Sequence, residues 1–333
     1  MIIDIMCSSG SPLGVTPSRI ITGVGGAELA LLTFVEVAKR MGHTVNVYNN
    51  GENAEGFHPI GEFHRGSERD LFIVFRTPYS GTSEVVAKRK IFWSCDQQTS
   101  GNYPTDVFPQ VDRVVCISSF HANYFQTRYG LGLDRIDVID LGVRTWEYDP
   151  ATPKEDGLVI FTTVPGRGLQ YLLNIWPAIK ARAPHAHLTI TSDYRLWGNG
   201  GDGGTHEYRL RAVGLQDINY LGMVPRSELC AIQSQAMVLA YTGDYEELFC
   251  IAVAEAEVAG AIPVASVYGA LPTTNQWGVQ VAGHPYEGGY QAQFVDAVVE
   301  LLTTDQTRRR NEMMVAARTR FDWEKICERM LHF

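Results

Sequence analysis

Over most of its 333 residues the chain alternates short apolar runs with longer segments whose apolar positions recur at helical spacing. "MIIDIMC" reads as a strand. A Gly/Ser/Pro-rich loop, "SSGSPLGVTPSRIITGVGG", leads into "AELALLTFVEVAKRMGH", which has helical periodicity and ends at Gly42. "TVNVYN", "DLFIVFR", "KIFWSCD", "RVVCIS" and "IDVIDLG" are further strands, and Ser118 or Ser119 is placed to cap a helix over "FHANYFQTRYG". Such alternation predicts a parallel sheet with helices on both faces.

The pattern pauses at "RTWEYDPATPKEDG", residues 144–157, which is polar, Pro-containing and poor in aliphatics, and so reads as a linker. It then restarts. "LVIFTTV", "AHLTITS", "INYLGMV", "MVLAYTG" and "IPVASV" are strands, "GLQYLLNIWPAIKARAP" and "SELCAIQSQA" are helices, and "FVDAVVELLTTDQTRRRNEMMVAARTRF" reads as one closing helix. "LWGNGGDGGTHE" is a Gly-rich, mobile-looking loop without the Lys-Ser/Thr ending of a P-loop. The expected fold class is α/β, with two Rossmann-like parallel-sheet domains divided near residues 147 and 148. Ligands of such sheets sit at the carboxyl ends of the strands. Two of them facing each other across a cleft would suit a two-substrate site closed by domain motion.

Composition narrows the partners. The 28 Lys and Arg against 37 Asp and Glu give a net charge of −9. A nucleic-acid binder would need a basic footprint, so that class is set aside. The six cysteines are scattered, with no C-x-x-C pair or metal-ligand spacing, and read as buried thiols in a reducing compartment. "MIIDIMCSSG" lacks a basic leader and a long apolar run, and no window approaches ~18 uninterrupted apolar residues. A cytoplasmic location is expected.

Three stretches carry candidate chemistry. "GVGGAELA" places Gly25 and Gly26 just before a helix, where backbone amides can approach a phosphate. A tight structural turn is the other reading, because G-x-G-x-x-G is absent. "EELFCIAVAEAEVAGAIPV" is nearly all apolar, yet Glu247, Glu255 and Glu257 interrupt it. On one helix Glu247 and Glu255 would stand ~12 Å apart along the axis and about 80° apart around it, too far to grip one atom. With Glu247 in the loop ahead of the helix, the amides of Phe249, Cys250 and Ile251 form an anion site. Glu247 and Glu255 then flank it along an extended ligand such as a sugar nucleotide. The alternative is a packed helix whose carboxylates reach a domain edge, and Glu257 has only that solvent or edge placement. In "VPGRGLQYLLNIWP", Arg167 lies in a Gly-flanked turn between a strand and a helix, where it either binds phosphate or is solvated.

Taken together, these stretches resemble the retaining GT-B glycosyltransferases of glycosyltransferase family 4, also called group 1. "EELFCIAVAEAEVAGAIPVASVYGALP" resembles the family's E-x7-E signature with its following strand and loop. "RGLQYLLNIWPAIKARAPHAHLTI" resembles its phosphate-binding turn, and "INYLGMVPRSELCAIQSQAMVLAY" its LG-x-V segment. "GVGGAELALLTFVEVAKRMGHTVNVYN", "VDRVVCISSFHANYFQTRYG" and "FDWEKICERM" resemble further segments.

The resemblance implies a role for each matching position. Glu255 would bond the ribose hydroxyls of a nucleoside diphosphate sugar. Glu247, with the amides of Phe249, Cys250 and Ile251, would contact the donor sugar, and Arg167 the diphosphate. Gly25 and Gly26 would approach the phosphates, and Gly222, Met223 and Val224 would lie beside the base. Residues 318–333 would pack back on domain 1–147, the acceptor side, leaving 148–317 as the donor domain.

The chain departs from the family pattern in several places. Thr162 and Thr163 occupy the region of a second basic residue, and Cys250 stands at the usual Gly. Cys95 replaces a His before Asp96, leaving Asp96 and His121 as candidate sugar or acceptor contacts, although a helix-surface position for His121 is as well supported.

The implied reaction transfers a sugar to an acceptor hydroxyl with retention, the leaving phosphate taking the acceptor's proton. Glu247 and Arg167 would be catalytic. The acceptor would be a saccharide, a lipid-linked molecule or a small molecule. No cofactor is expected beyond the donor. No Asp-x-Asp is present, and "GDYEE" reads better as a solvated loop than as a metal site. A binder without turnover and a sugar-nucleotide epimerase are the alternatives. A nicotinamide oxidoreductase is disfavoured, because the glycine fingerprint is broken and no acidic residue closes the second strand. Glu255→Ala is expected to weaken nucleotide binding with little loss of folding.

Overall fold

The computed structural model describes residues 1–8, 15–51, 53–99, 101–197 and 204–332. Parts of the 8–24 loop and of "LWGNGGDGGTHE" lie outside them. The chain forms two compact units, one of Met1–Ile20, Val24–Gly142 and Trp323–Phe333, the other of Ile21–Gly23 and Val143–Asp322.

The first unit holds β1 (Ile2–Met6), β2 (Thr44–Asn49), β3 (Phe57–Pro59), β4 (Leu71–Phe75), β5 (Arg89–Trp93), β6 (Arg113–Cys116) and β7 (Ile136–Val138), in the order β3-β2-β1-β4-β5-β6-β7. All pairings are parallel, with Ile3 opposite both Val45 and Leu71. Successive residues of a strand face opposite sides. Phe72 and Val74 join a core with Phe92, Phe108 and Phe125. Phe75 meets Trp93 from the other side, and Trp93 also meets Phe34 of the helix Gly26–Arg40. Ser118 caps the helix Ser119–Tyr129, its Oγ accepting from the His121 amide at 3.1 Å.

The second unit holds β8 (Leu158–Phe161), β9 (His187–Ile190), β10 (Ile218–Tyr220), β11 (Val238–Tyr241), β12 (Ile262–Ser266) and β13 (Val279–Val281), in the order β10-β9-β8-β11-β12-β13. Its sheet is parallel throughout and covered on both faces. Val159 and Phe161 pack with Leu172, Trp176 and Phe294, while the alternate residues Leu158 and Ile160 pack with Val253 and Ala256. These α/β units have the doubly wound order, which turns back between β1 and β4 and again between β8 and β11.

Two expectations are corrected. The closing helix is two helices, Gly288–Thr303 and Thr307–Arg320. Thr304 is extended, and the Asp305 carboxylate accepts from the Thr307 amide at 2.9 Å, a local turn that ends the first helix before the second begins. The 144–157 stretch is no free linker. Tyr148 is buried with its hydroxyl on Gln233, and the Lys154 ammonium caps two helix ends at the carbonyls of Ser234 and Ala259. Polar composition concealed these satisfied contacts.

Candidate active site

The turn after β8 and the loop after β11 meet at the point where the second sheet reverses direction. They meet backbone to backbone. Gly168 has φ +112°, and a Cβ there would fall 2.6 Å from the Gly243 Cα. The Gly168 carbonyl accepts from the Thr242 hydroxyl at 2.8 Å. This contact delivers Arg167 to Glu247, with Nη1 donating to Oε1 at 2.8 Å. The Tyr241 hydroxyl donates to the same oxygen at 2.7 Å. The Arg167 guanidinium also stacks on Tyr245, 4.3 Å from the ring centroid. Burial, the largest single influence, pulls the Arg167 pKa down, but Glu247 together with Tyr241, Tyr245 and Cys250 outweighs it, so the net shift is upward and the guanidinium stays charged.

Glu247 lies ahead of the helix Ile251–Ala259, in the loop. Its carbonyl accepts from Ala270, and Gly269 approaches so closely that a Cβ would sit 2.3 Å from that oxygen. The first bonds onto the helix run from Val253 and Ala254 to the Cys250 carbonyl, so the amides before Val253 precede the helical ladder. Cys250 itself adopts φ 70° and ψ 78°. Glycine takes this left-handed conformation without strain, which explains why the position suits Gly.

Glu255 sits in a separate network. Its Oε1 accepts from Arg226 at 2.6 Å and its Oε2 from Gln233 at 3.1 Å. Arg226 also donates to Glu147 at 2.8 Å and to the Tyr148 hydroxyl at 3.0 Å. Glu255 is 4% exposed. Each carboxylate oxygen has a second lone pair for a further hydroxyl. Glu257 is 0% exposed, which overturns its solvent-edge placement. Ala252 through Ala259 are all buried, so this helix has no wet face. The Glu257 Oε1 accepts from the Trp277 amide, while Oε2 has no partner among the described residues. Burial pushes its pKa up to about 8.

Gly222, Met223 and Val224 lie between β10 and the helix Arg226–Gln235, with Gly222 at φ +80°. Thr162, in the region where a second basic residue was sought, has a buried hydroxyl without a partner among the described residues.

In the first unit, Gly25 is the extended residue just before the helix that Gly26 opens. In that helix's first turn, Glu28 accepts from Arg76. Arg76 also forks onto Asp96, with Nε to Oδ2 at 2.6 Å and Nη2 to Oδ1 at 2.9 Å. Arg76 has φ 60° and follows β4 where the first sheet reverses. Sequence reasoning missed it, and the available signal was a lone charge ending the apolar run "DLFIVF". His121 is 0% exposed, which overturns its helix-surface placement. The Ile117 amide faces Nδ1 at 3.3 Å, Ser94 faces Nε2 at 3.3 Å, and Phe125 covers the ring. Burial lowers its pKa to about 4, leaving the imidazole neutral and without surface to offer a ligand.

Among the described residues no group of three or more His, Cys, Asp or Glu is placed to hold a metal ion. No helix there is long and apolar enough to cross a membrane.

Residues 157–304 match the family model described as "Glycosyl transferases group 1". Over 228 residues the chain is 24% identical to a phosphatidylinositol N-acetylglucosaminyltransferase subunit of Arabidopsis thaliana, covering 66% of this chain and 48% of that one. The chain therefore spans about half the length of that curated relative. A glycosyltransferase from Rickettsia africae superposes with a TM-score of 0.75 at 15% identity, over 99% of this chain and 96% of that one. Anabaena HepE in complex with UDP-glucose superposes with a TM-score of 0.69 at 16% identity, over 99% and 98%. The sucrose-phosphate synthase of Thermosynechococcus elongatus gives 0.69 at 14%, over 99% and 97%. The two α/β units match the fold of GT-B glycosyltransferase structures, and residues 157–304 are similar to the group 1 glycosyl transferases.

Proposed function

We propose that the protein is a retaining glycosyltransferase that moves a sugar from a nucleoside diphosphate donor to an acceptor hydroxyl. The observation that carries this reading is the Arg167–Glu247 pair where the second sheet reverses, beside the start of a buried helix. Arg167 brings a charged, planar guanidinium that suits a diphosphate, and the amides before Val253 add partial positive charge. Glu247, held by Tyr241, accepts from hydroxyls of the donor sugar. As the bond from the anomeric carbon to the phosphate oxygen breaks, charge grows on the leaving diphosphate, where fixed donors stabilise it most. The acceptor oxygen attacks from the same face and its proton passes to that phosphate.

In this reading Glu255 meets the ribose through its remaining lone pairs, and Gly222 to Val224 flank the base. Gly25 and Gly26 approach the phosphates, and Asp96 contacts sugar or acceptor. UDP-glucose and UDP-N-acetylglucosamine are the first donors to try, given what HepE binds and what the Arabidopsis relative is named for. Thr162 in place of a second base favours one other reading, a sugar-nucleotide binder without turnover.

The test is thermal stabilisation by UDP, GDP, ADP and dTDP, with NAD as control, followed by slow hydrolysis of the matching donors and NMR of the product anomer. Stabilisation by NAD alone overturns the proposal. Binding without hydrolysis leaves the inert binder, and an inverted anomer removes retention.

A further inference from the structure

A second cluster lies at the carboxyl ends of the second unit's strands, and the donor chemistry does not use it. Asp244 follows β11, Tyr268 follows β12, and His284 and Tyr286 follow β13. Tyr171, in the first turn of the helix Leu169–Arg182, forms the buried floor. Its hydroxyl donates to the Asp244 Oδ2 at 2.7 Å. Tyr286 stands edge-on to Tyr171, with ring centroids 4.8 Å apart, and lies parallel to His284 at 5.4 Å. Tyr268 meets His284 edge-on at 6.4 Å. The Tyr286 amide points at the His284 Nδ1 from 3.3 Å, which puts the proton of the neutral ring on Nε2, the atom that faces Asp244 at 3.7 Å.

We propose that this cluster is a platform that binds a saccharide. Tyr286 is 66% exposed, and the rings form one patch, not scattered single residues. Aromatic faces carry negative charge density and attract the weakly positive C–H faces of a pyranose. Between the rings stand the Asp244 carboxylate, whose Oδ1 accepts no hydrogen bond among the described residues, and a His N–H donor. That mixture suits a ligand with both hydroxyls and C–H faces better than a purely apolar one. Glu246 and Glu287 stand beside Asp244 and Tyr286 in the chain, so an anionic ligand is disfavoured. Asp244 and Glu247 share one loop, and Tyr268 immediately precedes Gly269, which pairs with Glu247. A glycan on these rings therefore lies next to the donor-sugar carboxylate. Binding of a saccharide here does not rest on the proposed function.

Saturation-transfer NMR on the full chain tests this with maltotriose, cellotriose, mannotriose and chitotriose at millimolar concentration, and with UDP in a parallel tube. We expect saturation of at least one trisaccharide, about tenfold weaker binding in Tyr286→Ala, and a comparable loss in Asp244→Asn. UDP binding by Tyr286→Ala should be unchanged. The platform is overturned if no trisaccharide saturates, or if Tyr286→Ala binds as the parent does. Trisaccharide binding that needs Tyr286, in a chain that ignores every nucleotide, keeps the platform and removes the donor reading.

Discussion

Arg167 and Glu247, 80 residues apart in the chain, are joined at 2.8 Å across the point where the second sheet turns back. Glu247 keeps one donor when the pair is broken, because Tyr241 holds the same carboxylate oxygen. Arg167→Ala should therefore lower the melting temperature, since the buried carboxylate loses its charged partner, and still fold. It should lower kcat by about 10²–10³-fold if the guanidinium stabilises the leaving diphosphate. Arg167→Lys should recover little, since a point charge cannot reproduce a planar fork. Steady-state kinetics with the matching donor decide it, and an Arg167→Ala enzyme of normal kcat removes the catalytic role.

Glu255 behaves differently from the sequence expectation. Removing its side chain leaves Arg226 buried and short of a partner, which costs about 3–5 kcal/mol in comparable settings. Glu255→Ala should thus be strongly destabilised in urea, so its binding defect would be hard to attribute. Glu255→Gln keeps the shape and one acceptor. With folding retained, it should weaken nucleotide binding if the ribose reading holds. Unchanged UDP affinity in a folded Glu255→Gln argues that the residue serves only the Arg226 network.

What was legible in the sequence follows from how local each signal is. Strand-helix alternation is written into apolar spacing, so both parallel sheets were readable. Arg167 stands out in the sequence through its flanking glycines, and Glu247 as a carboxylate that interrupts an apolar run. The Arg76 link to Glu28 was not, since it joins the end of β4 to a helix start 48 residues earlier. Arg226 looked like an ordinary first-turn residue after Pro225, and nothing local marks it as the partner of Glu255. His121 and Glu257 show the same limit, because a charged or polar residue in a helical run does not announce what covers it.

Cys250 offers a test of backbone strain against packing. Its left-handed conformation costs a non-glycine residue about 1–2 kcal/mol. Its side chain is buried with Val253 and Leu271, so any truncation also loses contacts. Comparing two truncations cancels most of that loss. Cys250→Gly should be more stable than Cys250→Ala by about 1 kcal/mol, read from urea denaturation. Equal stabilities would mean that the strain is relieved some other way.

Glu257 makes stability depend on pH in a defined direction. Burial raises its carboxyl from the ordinary 4.5 to about 8. Between those values the folded chain holds a proton that the unfolded chain has released, so this residue's contribution to stability falls as pH rises. Below the ordinary value both states are protonated and the contribution vanishes. Glu257→Gln keeps an acceptor for the Trp277 amide and cannot ionise. It should match the parent near pH 5 and exceed it increasingly toward pH 8 in melting temperature. A gap that stays constant from pH 5 to pH 8 would mean that Glu257 is ionised throughout, with the backbone amides of residues 276–278 outweighing its burial.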